Sequence, residues 1–300
     1  MKIVSLLPSA TEIVYALGLG EDLIGVTDEC DFPPDAVTKP VVSRSALLQG
    51  RPLSSREIDD AVRRRVEGDG ALYVLDRDLL RREHPDVILT QDLCRVCAVP
   101  SGQVQRALDE LGLPDANVIS LDPNTLDDVI SQLDVVGKLL DRADRAAQLA
   151  TTLRARVENV KGTARRLPTI GVFCLEWAEP PFAAGHWVPE MVEAVGATNL
   201  IGAKGEPSRT VTYREIRNAN PEVIVFMPCG YYLEEAERTF QHPELADTPA
   251  ARNGNVFAVD ATSFFSRPGP RIVDGLEILA WAVHPEAYAE PPNGTIARVG

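Results

Sequence analysis

The chain has 300 residues, 45% hydrophobic and 25% charged, which suits one large or two modest globular domains and leaves no stretch apolar enough to span a membrane. A net charge of −14 opposes nucleic-acid binding, because neutralising phosphates requires clustered Lys and Arg. Five cysteines, a low and odd count, do not form a disulfide framework and fit a reducing compartment.

The apolar run at 3–7 reads as a buried strand closed by Pro8. Ser9 and Thr11 follow as N-cap candidates, with Glu12 at the capping-box spacing from Ser9. Ile13, Val14 and Leu17 then form a helical stripe, and residues 23–26 a second strand. In such a β-turn-α-β start the turn lies at a strand's C-terminal end, where open α/β sheets bind ligands. Ser9, Thr11 and, after the second strand, Asp31 and Phe32 are therefore candidate ligand contacts. The first apolar residues already belong to the fold, so no removable export signal is read. The expectation is a cytoplasmic protein, or a periplasmic or extracellular one if a leader was trimmed.

Residues 45–83 are charged and irregular, with a helix expected over "SSREIDDAVRRRVE". Further strands are predicted at 87–90, 118–121, 169–175, 223–227 and 255–259, with helical stretches between them. Such alternation means α/β layers with mostly parallel sheets. From 125 to 166 apolar residues recur every three or four positions with no proline, which predicts one long helix of about 50–60 Å starting at Asn124 or Thr125. The chain thus divides into an N-terminal lobe (1–124), a rigid connecting helix (125–166) and a C-terminal lobe (167–300). Two Rossmann-like lobes joined in this way place a ligand cleft between them. The Pro- and Gly-rich tail is expected to be loosely held.

The remaining strand ends supply further candidates. Gln91 and Asp92 follow 87–90, and Glu176, Trp177, Phe182, His186 and Trp187 follow 169–175. Tyr231 follows 223–227, and Phe264, Phe265 and Arg267 follow 255–259. Aromatic residues in loops beside Pro and Gly suit pocket lining for a planar, partly apolar ligand. Cys94 and Cys97 form one CxxC pair with no second pair to complete a zinc ribbon. With Cys174 and Cys229, also at strand ends, they would converge as a soft-metal or redox site near Glu176 and His186. Phosphate-loop, HExxH and GxSxG signatures are absent.

The stretches "IVSLLPSATEIVYALGL", "HPDVILTQ", the long helix, "PPFAAG" and "SFFSRPGPRI" resemble the helical-backbone metal-receptor superfamily, and within it the cobalamin-binding type of ABC-transporter substrate-binding protein. The resemblance spans about residues 1–285. It implies a non-enzymatic binding protein that needs no cofactor and holds a corrinoid or similar metal chelate between its lobes. Phe182 matches a ring-contacting aromatic, and Phe264, Phe265 and Arg267 fall in the stretch that supplies aromatic and polar contacts. Family positions bearing tryptophan appear here as Thr90-Gln91 and residues 210–212. The family's two permease-docking acids fall at Ser101-Gly102 and at Arg214, one residue from Glu215, which puts an ABC permease partner in doubt. The competing expectation is a cytosolic thiol- or metal-handling protein that uses the four cysteines.

Overall fold

The structure, a computed structural model, describes residues 1–46, 54–67, 72–93 and 98–299. The chain folds as two compact units, residues 1–123 with 135–146, and residues 124–134 with 147–300.

The first unit opens with β1 (Ile3–Ser5) and α1 (Pro8–Ala16). Pro8 does not close the first run. It occupies the first turn of α1, where a missing N–H removes no bond, and Leu7 stands at the N-cap position with no side-chain cap. Then come β2 (Leu23–Thr27), β3 (Val41–Ser45), α2 (Ser55–Glu67), β4 (Tyr73–Leu75), α3 (Arg77–Glu83), β5 (Val87–Thr90), α4 (Ser101–Leu111) and β6 (Asn117–Ser120). The sheet order is β4-β3-β2-β1-β5-β6. All neighbours run parallel except β3 and β4. Chain order reverses between β1 and β5, so loops leaving those strands diverge at that point. β1 and β5 are buried along their whole length, and a core of Val4, Leu6, Ile88, Val104 and Leu108 packs beside them.

The predicted single long helix is two helices, α5 (Leu126–Leu139) and α6 (Ala143–Ala164). Thr125 caps α5. Its hydroxyl accepts the Asp128 N–H (3.1 Å), and the Asp128 carboxylate accepts the Thr125 N–H (2.9 Å). The break comes at Asp141, which lies in the left-handed region (φ 54°), while the Arg142 N–H closes back on the Gly137 carbonyl at 2.7 Å. That bond pattern ends a helix without Gly or Pro at the break, Asp being among the few residues that tolerate the conformation. Leu140 stays buried at 1% exposure, so the apolar stripe runs through the break and hides it from a periodicity reading.

The second unit continues with β7 (Gly171–Ala178), β8 (Pro181–Ala183), α7 (Val188–Ala194), β9 (Thr198–Asn199), β10 (Arg209–Thr210), α8 (Tyr213–Ala219), β11 (Val223–Phe226), α9 (Leu233–Thr239), α10 (Pro249–Arg252), β12 (Val256–Val259), α11 (Ala261–Phe264), α12 (Ile272–Val283) and β13 (Ile296–Arg298). Its sheet runs β10-β8-β7-β11-β12-β13, with β9 beside β7. β7, β11 and β12 are parallel, whereas β8, β10 and β13 add antiparallel pairings, so this sheet is mixed rather than mostly parallel. The core packs Phe173, Leu175, Ile224, Phe226, Val256 and Ala258 together.

The tail is not loose. β13 pairs with β12, the Arg298 guanidinium lies 4.9 Å from the Phe257 ring centroid, and the Tyr288 hydroxyl donates to the Val160 carbonyl at 3.0 Å. Among the described residues no helix is long and apolar enough to cross a membrane.

Two glycines of the paired helices have opposite surroundings. A Cβ on Gly137 would lie 2.3 Å from Ala146 Cβ, whereas one on Gly162 meets nothing within 4 Å. Gly137→Val should therefore destabilise by about 1–3 kcal/mol. Gly162→Ala should stabilise by roughly 0.5–1 kcal/mol. Denaturant melts of both variants check the pair of signs.

Candidate functional site

In the first unit the candidates divide into internal and outward groups. Thr11 is fully buried, and its hydroxyl donates to Ser5 Oγ (2.9 Å) and meets Cys30 Sγ at 3.1 Å. Thr27 Oγ1 lies 3.4 Å from the same sulfur. Thr11 is thus part of a hydroxyl–thiol network behind the ends of β1 and β2, with its hydroxyl engaged inside the fold. Ser9 and Gln91 are each 3% exposed. Asp92 holds the start of α4, accepting the Ser101 N–H (2.8 Å) and the Ser101 hydroxyl (2.5 Å). Asp31 is half-buried, and Phe32 is exposed.

In the second unit three loops meet at the C-terminal ends of β7, β11 and β12. Trp177 stands edge-on to Tyr231 with centroids 5.5 Å apart. The Thr262 N–H donates to the Tyr231 carbonyl (3.1 Å), tying the loop after β12 to the loop after β11. The Trp187 indole N–H donates to the Phe265 carbonyl (2.9 Å), tying the loop after β12 to the start of α7. Arg271 sits 5.7 Å from the Phe264 ring centroid, and the Gln132 amide donates to the Pro268 carbonyl. Trp187, Phe265 and Arg267 are almost fully buried and hold these loops from within. Trp177, Phe182, His186, Tyr231 and Phe264 keep part of their surface exposed.

Glu176 is the extra residue of a bulge on β7, where Leu175 pairs with Ala183 and Trp177 with Phe182. Its carboxylate accepts the Ser208 hydroxyl at 2.6 Å. Burial pushes the carboxyl above the usual range, against the Ser208 and Gly185 hydrogen bonds, which favour the charged form. Burial likewise lowers the His186 imidazole, which favours its neutral form.

The four-thiol site is not assembled in the described part of the chain. Cys94 and Cys97 lie outside the described residues. Cys174 is buried on β7, and burial, then the charge of Glu176, pushes its thiol up to about 12, so it stays protonated. Cys229 is half-buried beyond β11. Among the described residues no three His, Cys, Asp or Glu side chains are grouped to hold a metal ion.

Sequence reasoning missed two features of this unit. The first is residues 202–208, which run along 184–186 and carry Ser208. Their Gly and Pro mark a turn, but no local pattern announces a partner 32 residues away. The second is the box around His242, formed by Tyr213, Phe226 and Phe240. There the Tyr213 hydroxyl donates to the Ala178 carbonyl (2.8 Å) and meets His242 Nδ1 at 3.0 Å. With its single hydrogen already donated, Tyr213 accepts from an Nδ1–H tautomer of His242, whose Nε2 is buried without a partner among the described residues.

One backbone bond and one indole bond thus join these segments, with partly exposed rings beside them. The model of a family described as periplasmic binding protein matches residues 3–262. The vitamin B12-binding protein of Vibrio cholerae serotype O1 is 24% identical over 279 residues, covering 92% of this chain and 86% of that one. A periplasmic heme-binding protein from Roseiflexus superposes with a TM-score of 0.70 at 23% identity, over 95% of this chain and 98% of that one. An ABC-type Fe3+-hydroxamate transport protein from Saccharomonospora viridis gives 0.67 at 22%, over 94% and 93%. The chain belongs to the periplasmic binding protein family, and it is a substrate-binding protein, not an enzyme. The two-lobed α/β fold and the resemblance to cobalamin-type receptors are both borne out. The cytoplasmic expectation finds no support in these relatives.

Two pH dependences follow. The raised Glu176 carboxyl contributes stability that is full below the ordinary carboxylate value and is lost as pH rises through its higher folded value. Glu176→Gln should therefore gain on the parent protein between pH 4 and pH 8, read by denaturant midpoints at each pH. Burial lowers His242, with the charges of Glu244 and Glu179 opposing. Its contribution is present above the unfolded value of about 6.5 and is lost as pH falls through the lowered folded value. His242→Phe should flatten the acid side of the stability profile, whereas an unchanged slope would show that His242 does not titrate there.

Proposed function

We propose that this protein binds a large metal chelate of the corrinoid class, using the aromatic loops at the C-terminal strand ends of the second unit as one contact surface. The observation that carries the reading is the bonded triangle of loops, in which buried Trp187 and Phe265 fix the positions from which Trp177, Phe182, Tyr231 and Phe264 show their rings. Broad aromatic surfaces suit a planar, partly apolar macrocycle, and the few polar groups beside them suit its amide or carboxylate edge. The curated relatives named vitamin B12-binding proteins favour cobalamin among such chelates, while the heme and Fe3+-hydroxamate neighbours share the fold alone. The family supports delivery to an ABC permease outside the cytoplasm. On this chain Glu215 stands near one expected docking position, paired with Arg209 at 2.6 Å.

The test is a visible-absorbance titration with hydroxocobalamin, cyanocobalamin and hemin, backed by calorimetry. Saturable cobalamin binding, with Trp177→Ala and Tyr231→Ala each weaker by about three- to tenfold, is the expected result. Hemin binding without cobalamin binding would replace the ligand class, and no binding by any of the three would overturn the reading.

A further inference from the structure

Between β9 and β10 the chain doubles back along the turn that leaves β8, and the two segments are bonded along their length. The Gly205 N–H donates to the His186 carbonyl at 2.9 Å, and the His186 N–H donates to the Glu206 carbonyl at 2.6 Å. The Gly185 N–H donates to Ser208 Oγ at 3.1 Å, and that hydroxyl donates its own hydrogen to Glu176 Oε2 at 2.6 Å. Beyond Ser208, the Val211 N–H donates to the Pro181 carbonyl at 2.8 Å. The approach leaves no room for side chains. A Cβ on Gly185 would lie 2.4 Å from the Glu206 carbonyl oxygen, and one on Gly202 would lie 2.5 Å from the Ala184 carbonyl oxygen. The segment is therefore a strap laid directly on backbone.

What the strap holds is unusual. His186 is in the left-handed region at φ 53°, a conformation that a non-glycine residue keeps only when its surroundings over-determine it. Both of its backbone groups are bonded to the strap, and its ring rests 5.6 Å from that of buried Trp187, whose indole N–H reaches the Phe265 carbonyl. The strap in turn has a side-chain link to a central strand of the sheet, Ser208 on Glu176 of β7. A hydroxyl has a single hydrogen, so donating it to the carboxylate turns a lone pair toward the Gly185 N–H and sets the register of strap against turn.

We propose that Glu176 and Ser208 form a clasp that positions His186 for the ligand, with Glu176 as the acceptor fixed on β7 and Ser208 as the bridge to the strap. The inference rests on the reading of this loop cluster as a ligand surface. Glu176 acts through the strap as a positioning residue, and His186 presents the ring.

The test compares Ser208→Ala with Ser208→Thr, which keeps a hydroxyl, and Glu176→Ala with Glu176→Gln, which keeps an acceptor oxygen. Amide hydrogen exchange and imidazole NMR signals are read on the full chain without ligand. In Ser208→Ala and Glu176→Ala, exchange at His186 and Gly205 should rise about tenfold, the scale of one lost hydrogen bond to a charged group. The His186 ring signals should shift while those of His242 and His284 stay in place. Ser208→Thr and Glu176→Gln should remain near the parent protein, which also keeps the test valid if an alanine variant fails to fold. Unchanged exchange at His186 in the alanine variants would overturn the clasp. Hydroxocobalamin and hemin titrations form the second arm. Affinity should fall with the alanine variants and recover with the conservative ones. Looser exchange with unchanged affinity would overturn the positioning role. A parent protein that binds neither compound would remove the ligand reading, while the exchange result would still decide the clasp.

Discussion

Parallel strands cannot be joined by a tight turn, so β7, β11 and β12 each need a crossover before the next can pair. All three then point their C-terminal ends to the same edge of the sheet, and the loops that follow them fall together. Pairing of Val223–Phe226 between the other two strands holds that geometry, because all four residues are buried. The aromatic surface of the second unit is a consequence of this pairing. Trp177, Tyr231 and Thr262 are distant in sequence and adjacent in space because each leaves a neighbouring strand at the same edge.

The site also shows how depth sorts side chains of one chemical type. Trp187 and Phe265 bury nearly all their surface, and the indole N–H still finds a carbonyl, as a buried tryptophan must. Trp177 donates to the Glu179 carbonyl at 3.2 Å while its ring keeps contact with solvent. The enclosed rings determine where the loops lie, and the half-open rings are what the loops offer. The carboxyl groups sort in the same way. Asp92 lies at an exposed helix start and caps it, whereas Glu176 sits where burial outweighs two hydrogen bonds.

The central strands were legible in the sequence because a short run buried on both faces is mostly apolar, as in Val223–Phe226 and in Val87–Thr90, where only Thr90 is polar. The short strands were not, since β8, β9 and β10 have two or three residues each and Pro181 opens one of them. The tail strand was masked by the Pro- and Gly-rich stretch before it, although Ile296 carries the β-branched signal. The break between α5 and α6 was invisible because Leu140 continues the stripe and Asp141 is no marked helix breaker. Trp177, Phe182 and Phe264 read from the sequence as loop residues after strands, whereas β7 runs on to Ala178, β8 holds Phe182 and α11 holds Phe264. Which aromatic rings are enclosed depends on contacts between distant loops, and no local pattern carries that information. The same holds for Thr11, whose place beside Cys30 is set by strand pairing.

Neither compact unit is a continuous piece of the gene, and this bears on the order in which the protein can fold as it is made. The strands of the first unit have all been synthesised by Ser120, yet the unit also contains residues 135–146, where the Arg145 guanidinium donates to the Ala16 carbonyl at 2.7 Å. The intervening residues 124–134 belong to the second unit. On emergence they find neither Glu190, whose carboxylate accepts the Leu126 N–H across 64 residues, nor Pro268, whose carbonyl accepts from Gln132 across 136. At about 5–20 residues per second the last of these contacts waits on the order of ten seconds. During that interval the first turns of α5 have been made but the surface that covers them has not.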